Sequence, residues 1–386
     1  MSKRKICVVL TARTSYAKIK SILKSIKNNE NLELQVVCAA SAVLDQYGAT
    51  DKMVEQDGFH VNERIYMILE GETLLTSAKA TGMGIVEFSG AFDRLKPDAV
   101  LVMADRFEIM SAAISATYLN IPLIHVQGGE VSGNIDEKVR HAVTKLADIH
   151  FPATEKSAQN IIKMGENPDT VFCSGCPSID LAQDVLNHPD LDFDVYKKYG
   201  GVGAFPDLSD EYYIVMQHPV TTEYQSGREQ INSTLEAVNK LQKPALIFWP
   251  NPDAGGSSVS KGIRAFRENI KPEYMHFIKN MEPQDFMRVL NKSNGIIGNS
   301  SVAIREASFL GVPAINIGSR QNARERGANV VDVTYDTDII YNTILDHFQS
   351  KKPQLSLYGD GKAGKTIADT LSKIELNYKK TLHYSA

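Results

Sequence analysis

Seven polar segments of this sequence stand directly after apolar runs, where a chain leaves a β-sheet. In the first half these are Thr11-Ala-Arg13-Thr-Ser15-Tyr16-Ala-Lys18, Ala104-Asp105-Arg106-Phe-Glu108 and Gln127-Gly-Gly-Glu130. In the second half they are Gln217-His218-Pro, Pro250-Asn251-Pro-Asp253, Gly298-Asn-Ser300-Ser301 and Gly318-Ser-Arg320-Gln-Asn-Ala-Arg324. A strand end needs a polar turn, so any one segment is explained structurally. Seven together, carrying four arginines, a histidine and several carboxylates, are not. Arginines gathered with free helix N-termini bind an anion, and carboxylates beside them exchange protons.

Gly298-Asn-Ser300-Ser301 precedes Val302-Ala-Ile-Arg-Glu306-Ala-Ser-Phe-Leu310, a helix pattern closed by Gly311. The dipole and unpaired N–H groups of such an N-terminus favour an anion, and two hydroxyls add donors. An ordinary Ser cap explains one serine but not the pair beside Asn299. Glu306 reads equally as a solvated helix residue or as an acceptor for ribose hydroxyls. After Gln127, Asn134 with Glu137 resembles a capping arrangement, and Ile135, Val139, Ala142, Val143 and Leu146 form a buried stripe. Asp136 and Arg140 share a helix face at a spacing of four and can pair. That leaves Gln127-Gly-Gly-Glu130 unexplained as structure: the glycines allow a ligand close to the backbone, and Glu130 points to the same cleft as Asp105.

The elements that must position these residues alternate. Apolar runs at 6–10, 34–38, 64–69, 99–103 and 121–126 are separated by helix patterns near 19–26, 43–56, 72–94 and 107–118. The pattern lapses over 185–211, a loop or linker, and resumes with runs at 213–216, 245–249, 295–298 and 313–317. Continuous apolar strands alternating with helices predict parallel sheets covered on both faces. The fold class is α/β, with two doubly wound domains facing each other across a cleft; ligands of such sheets bind beyond the carboxyl ends of the strands.

The 386 residues carry 42 Lys+Arg and 46 Asp+Glu, a net charge of −4 with scattered positive charge. This argues against a nucleic-acid partner and leaves room for a small phosphorylated ligand. No apolar stretch approaches the roughly 18 residues of a membrane span. The basic start Met1-Ser-Lys-Arg-Lys runs into a five-residue apolar stretch with no small-residue cleavage site, and so reads as a first strand and not a signal peptide; a cytoplasmic protein is expected. Cys173-Ser-Gly-Cys176 has the C-x-x-C form, but no second Cys/His pair stands at zinc spacing, and Cys176 runs into a turn and not onto a clear helix start. No metal site is expected.

Taken in order, ARTSYAK, ADRFE, GGEVSGNIDEKVRHAVTKLA, GCPSID, QHPVTT, PNPDAG, GNSSVAIREA and GSRQNARE resemble the hydrolysing UDP-N-acetylglucosamine 2-epimerases, over residues from about 5 to 362. The resemblance implies the GT-B fold of two Rossmann-like domains, here 1–180 and 181–362. A C-terminal segment, 363–386 with a helix over about 363–378, is expected to pack back on the first domain. It implies conversion of UDP-GlcNAc and water to N-acetylmannosamine and UDP for sialic acid synthesis, or the same reaction on a 2,4-diacetamido-6-deoxy sugar nucleotide on the route to legionaminic acid. It implies no cofactor, and a homodimer or homotetramer. Carried onto these positions, Asp105 and Asp136 are the acid/base carboxylates, with Glu130, Gln127 and His218 beside them as catalytic candidates. Arg13, His218, Ser300, Ser301 and Arg320 take the diphosphate, and Glu306 takes the ribose. Ser15, Lys18, Arg106, Arg140, Asn251 and Asp253 complete the substrate-binding candidates, the last two at the cleft edge of the second domain.

Two positions depart from the family wording: Ser15 stands where R-A-D-Y has Asp, and Gln127 where E-G-G-E has its first Glu. Replacing two charges near the sugar suits a different 4- and 6-substituent, which points to the diacetamido branch. The competing readings are a GT-B glycosyltransferase, a non-hydrolysing 2-epimerase and a catalytically inactive nucleotide-sugar binder.

Overall fold

The computed structural model describes residues 3–70, 73–131, 135–250 and 255–384. The chain divides into two units: one holds Met1–Val131, Ile135–Leu181 and Tyr358–Ala386, the other Ala182–Leu357.

The sheet of the first unit contains β1 (Arg4–Leu10), β2 (Leu32–Ala39), β3 (Glu63–Ile65), β4 (Ala99–Met103), β5 (Leu123–Val126) and β6 (Ile149–Phe151), all parallel, in the order β3-β2-β1-β4-β5-β6. Its strands are apolar on both faces because helices cover both: Ile6, Val8 and Leu10 pack toward Ile19, Ile22 and Ile26 of helix Arg13–Asn28, while Cys7 and Val9 pack toward Phe88 and Phe92 of helix Leu74–Leu95. The second unit repeats the plan. Here β7 (Val202–Gly203), β8 (Tyr213–Met216), β9 (Ala245–Phe248), β10 (Met275–Ile278), β11 (Gly295–Gly298), β12 (Ala314–Ile317) and β13 (Val330–Val333) run β13-β12-β11-β8-β9-β10-β7. Apart from the antiparallel edge strand β7, this is again the doubly wound order, with the strand sequence reversing direction between β8 and β11 as it does between β1 and β4.

Several local expectations are corrected. The run 64–69 is a strand only to Ile65, and helix begins at Thr50, after two 3₁₀ turns, and not near 43. The strands β6, β10 and β13 lie in runs too short to stand out as periodic. The supposed linker 185–211 holds the end of helix Pro177–Asn187, a short helix Val195–Tyr199 and β7. Its order comes from a tertiary anchor: the buried His276 ring on β10 bonds the carbonyls of Ala204 (2.7 Å) and Gly200 (2.9 Å), with Tyr196 and Phe205 packed on it. Cys176 does run onto a helix, which starts at Pro177; both cysteines of the C-x-x-C are free thiols, Cys176 buried and Cys173 exposed. Among the described residues, no helix is long and apolar enough to cross a membrane.

The C-terminal helix is Ala363–Leu371, shorter than expected, and an irregular strap follows it. The Asp180 carboxylate accepts from the N–H groups of Ala363 and Gly364, both at 2.8 Å, and so caps the helix. At its other end the Arg4 guanidinium donates to the carbonyls of Leu371 and Ile374. Further along, Lys380 reaches the buried Glu166 at 2.6 Å and donates to the carbonyls of Thr144 and Ala147, which close helix Ile135–Leu146. Lys145 (2.5 Å) and the His150 Nε2–H (3.1 Å) share the same carboxylate. Burial pushes Glu166 up, but its hydrogen bonds from His150, Lys145 and Lys380 outweigh this and hold it at about 2, below the ordinary 4.5. A carboxylate depressed in the folded state stabilises it above the unfolded value and loses that contribution as pH falls through the window from 4.5 to about 2. The contribution is about 3 kcal/mol. We therefore expect Lys380→Ala to unfold at lower urea at pH 7 and to lose less stability between pH 4.5 and pH 2.5 than the parent chain, measured by urea titration across that range.

Candidate active site

In the first unit the polar groups gather where β4 and β5 end. Two non-glycine residues there, Ala104 (φ 67°) and Gln127 (φ 64°), adopt the left-handed conformation, a strain that surrounding contacts must hold. Buried His125 on β5 does so for Ala104: its Nε2–H donates to the Ala104 carbonyl at 2.9 Å, and the Thr144 hydroxyl donates to Nδ1 at 3.0 Å. Burial brings its pKa down to about 3, so the imidazole is neutral, as this pattern requires. Asp105 comes next in the chain, and Arg140, fully buried on helix Ile135–Leu146, ion-pairs with it. The same guanidinium donates to the Glu130 carbonyl at 2.8 Å, tying the ends of β4 and β5 together. Arg140 thus holds Asp105; the Asp136 side chain, the partner that the spacing of four allows, lies outside the described residues. Arg106 grips the buried Glu108 through two hydrogen bonds, at 2.8 and 3.1 Å.

Gln127 is buried, and its Nε2–H donates to the Cys176 sulfur at 2.8 Å, with the Ser178 hydroxyl 2.9 Å from that sulfur. At the end of β1, Arg13, Ser15 and Lys18 are half-buried on the first turns of helix Arg13–Asn28. The Arg13 guanidinium lies against Gly48, where a Cβ would come within 3.0 Å of it.

In the second unit the central residue is Asn299, which the sequence reading passed over in favour of its serine neighbours. It is fully buried at the end of β11. Its Oδ1 accepts from the His218 N–H at 2.7 Å, and its Nδ2–H donates to the His218 carbonyl at 2.9 Å. Its own carbonyl accepts from Arg320 at 3.2 Å and from Gln321 at 2.9 Å. One asparagine therefore fixes the tips of β8, β11 and β12. Gly298 makes this possible: at φ 134° it lies so close to β8 that a Cβ would be 2.2 Å from the Met216 carbonyl oxygen. Burial and the nearby Arg320 bring the His218 pKa down to about 3, so this ring too is neutral.

Ser300 caps a 3₁₀ turn, Ser301–Ala303, and the α-helix begins only at Glu306. The continuous helix expected from Val302 to Leu310 is thus interrupted at Ile304 and Arg305. Glu306 is 2% exposed, which overturns the solvated alternative, and its Oε2 has no hydrogen-bond partner among the described residues. Another interaction not foreseen joins the ends of β8 and β12: Glu223 accepts from Ser319 and, at 2.7 Å, from Gln230. Asn251 and Asp253 lie outside the described residues.

Two doubly wound domains in tandem, each with polar groups gathered at the carboxyl edge of its sheet, make this a GT-B-fold enzyme. The solved UDP-GlcNAc 2-epimerase of Neisseria meningitidis bound to UDP-GlcNAc has the same fold, with a TM-score of 0.80 at 21% identity over 96% of this chain and 100% of that one. The chain belongs to the UDP-N-acetylglucosamine 2-epimerase family, whose pattern matches residues 24–372. It is 34% identical to the UDP-N,N'-diacetylbacillosamine 2-epimerase (hydrolyzing) of Legionella pneumophila, over 97% of each chain. It is 30% identical to the GDP/UDP-N,N'-diacetylbacillosamine 2-epimerase (hydrolyzing) of Campylobacter jejuni, over 86% of this chain and 85% of that one.

The two bonds between Asn299 and the His218 backbone yield a direct expectation. Asn299→Ala should weaken binding of UDP by about 10-fold or more, since two buried backbone groups lose their partners. Asn299→Asp should do the same, because a carboxylate cannot donate to the His218 carbonyl. Calorimetric titration with UDP measures both.

Proposed function

We propose that this enzyme is a hydrolysing UDP-sugar 2-epimerase whose substrate is UDP-2,4-diacetamido-2,4,6-trideoxyglucose (UDP-N,N'-diacetylbacillosamine). The products are UDP and free 2,4-diacetamido-2,4,6-trideoxymannose. The observation that carries the substrate is Gln127, buried and with its amide N–H directed to the Cys176 thiol. A neutral amide against sulfur is a less polar lining than a carboxylate, and it suits a sugar with a methyl group at C6 and an acetamido group at C4. The names of the relatives from Legionella pneumophila and Campylobacter jejuni support the same choice.

The C2 hydrogen is hardly acidic until the C1–O bond to UDP stretches and C1 takes on oxocarbenium character. As UDP departs with the bonding pair, a carboxylate removes the C2 proton and the C–H electrons form the C1–C2 double bond of a glycal. Water then adds its hydroxyl to C1, and a proton returns to C2 from the opposite face, giving the manno configuration. Asp105, oriented by Arg140, and Asp136 are the acid/base groups in this reading, with Glu130 beside them. Arg13, Arg320, Ser300 and Ser301 take the charge of the leaving diphosphate, and Ser15, Lys18, Arg106, Asn251 and Asp253 complete the substrate contacts. His218, being neutral, serves as a hydrogen-bonding group and not as a cation. Glu306 offers its unpaired oxygen to the ribose hydroxyls. The reading also places the enzyme in the cytoplasm.

An NMR time course in D₂O with this nucleotide sugar and, separately, UDP-GlcNAc tests the proposal. Faster release of free manno sugar deuterated at C2 from the diacetamido substrate is expected; equal or faster turnover of UDP-GlcNAc would remove the substrate assignment. Asp105→Asn should lower kcat by about 10²- to 10⁴-fold, the range for loss of a general acid or base.

A further inference from the structure

The two glycines of Gln127-Gly-Gly-Glu130 have separate reasons within the fold. Gly129 has φ 77° and lies so close to helix Glu155–Lys163 that a Cβ would be 2.2 Å from the Ser157 carbonyl oxygen. Gly128 has no left-handed φ, so its backbone conformation admits a side chain. Space is what forbids one. A Cβ there would come 2.8 Å from the Thr144 hydroxyl and 2.9 Å from the His125 Nδ1, the two ends of a single hydrogen bond.

That bond completes the setting of a buried ring. The Ala104 carbonyl can only accept, so the His125 Nε2 that lies 2.9 Å from it carries hydrogen. The ring is fully buried and neutral, which leaves Nδ1 a lone pair for the Thr144 hydroxyl. With one nitrogen bonded at each end, the imidazole cannot turn away from Ala104 without stranding a polar atom inside the protein. Ala104 also gives its N–H to the Val126 carbonyl at 2.9 Å, so β5 and its side chain hold both backbone groups of the left-handed residue before Asp105. Thr144 is itself pinned, since Lys380 donates to its carbonyl.

We propose that Thr144 is a positioning residue for proton transfer at Asp105: through His125 it fixes the Ala104 peptide, and Gly128 stays without a side chain to leave that bond room. Arg140 and Thr144 stand four residues apart on helix Ile135–Leu146. Arg140 holds the Asp105 carboxylate, and Thr144 holds the backbone that leads into it. The inference rests on the reading of Asp105 as an acid/base group.

Heteronuclear NMR of the histidine side chains and steady-state kinetics, both on the full chain, test it. In the parent, His125 is expected as the neutral tautomer protonated at Nε2, with that proton exchanging slowly with water. Thr144→Val should speed the exchange. It should also lower kcat on the nucleotide sugar about 10- to 100-fold, as for a reacting group displaced by up to about 1 Å, while KM and UDP affinity stay within about 2-fold. Thr144→Ser, which keeps the hydroxyl, should restore both readouts, and Gly128→Ala should behave as Thr144→Val does. A parent ring protonated at Nδ1 or at both nitrogens, an unchanged kcat in Thr144→Val, or a loss that Thr144→Ser shares would overturn the proposal. Asp105→Asn in the same assay separates the two readings. Full turnover in Asp105→Asn removes Asp105 from the chemistry and this inference with it; a disabled Asp105→Asn beside a fully active Thr144→Val removes the inference alone.

Discussion

A parallel sheet leaves its strand ends with backbone groups that no neighbouring strand completes, and both units depend on side chains that satisfy those groups at the carboxyl edge. His125 does this for the strained Ala104 carbonyl, and Asn299 does it for both backbone groups of His218. In each case the two residues belong to adjacent strands on one side of the sheet, so the bond fixes the spacing between two strand tips. The candidate site residues are the neighbours of these anchors in the chain: Asp105 follows Ala104, and Ser300 follows Asn299. Buried polar groups without partners are costly, so the anchor and its strand end are held together by the same penalty that would attend their separation.

The electrostatics follow from that arrangement. Both histidines at the strand ends are buried and neutral, which leaves the arginines as the fixed positive charges of the site. Arg140 is fully buried, and a guanidinium taken from water needs its partners to be exact in position. It obtains them from Asp105 and the Glu130 carbonyl, so the orientation of a candidate catalytic carboxylate is set by the solvation requirement of a cation behind it.

Much of the fold was legible in the sequence because short continuous apolar runs alternating with helix patterns mark strands covered on both faces, and helix Phe107–Tyr118 stands where its periodicity placed it. The strand β6 and the segment 185–211 were not, since three residues show no period and the order of the latter comes from His276, distant in sequence. In the site, residue type marked the strand-end loops, but partnership could not be read from spacing. Arg140 ion-pairs with Asp105, 35 residues away, where no local spacing points. Glu306 could not be assigned to solvent or interior because the break at Ile304 and Arg305 has no local signature in the sequence. Asn299 looked like a turn residue; only the closeness of β8 and β11 shows its two-way bond.

The strap that returns from the far end of the chain has a consequence for synthesis. Arg4, on the first strand to be made, takes its hydrogen-bond partners from Leu371 and Ile374, and Glu166 waits for Lys380. During translation the first unit therefore emerges without its last helix and without the Lys380 of its buried ion cluster, while the second unit, Ala182–Leu357, has its whole sheet before the strap appears. The domain begun first on the ribosome is the one finished last, and until then its helix Arg13–Asn28 carries an uncovered flank that a chaperone or an early stop would encounter.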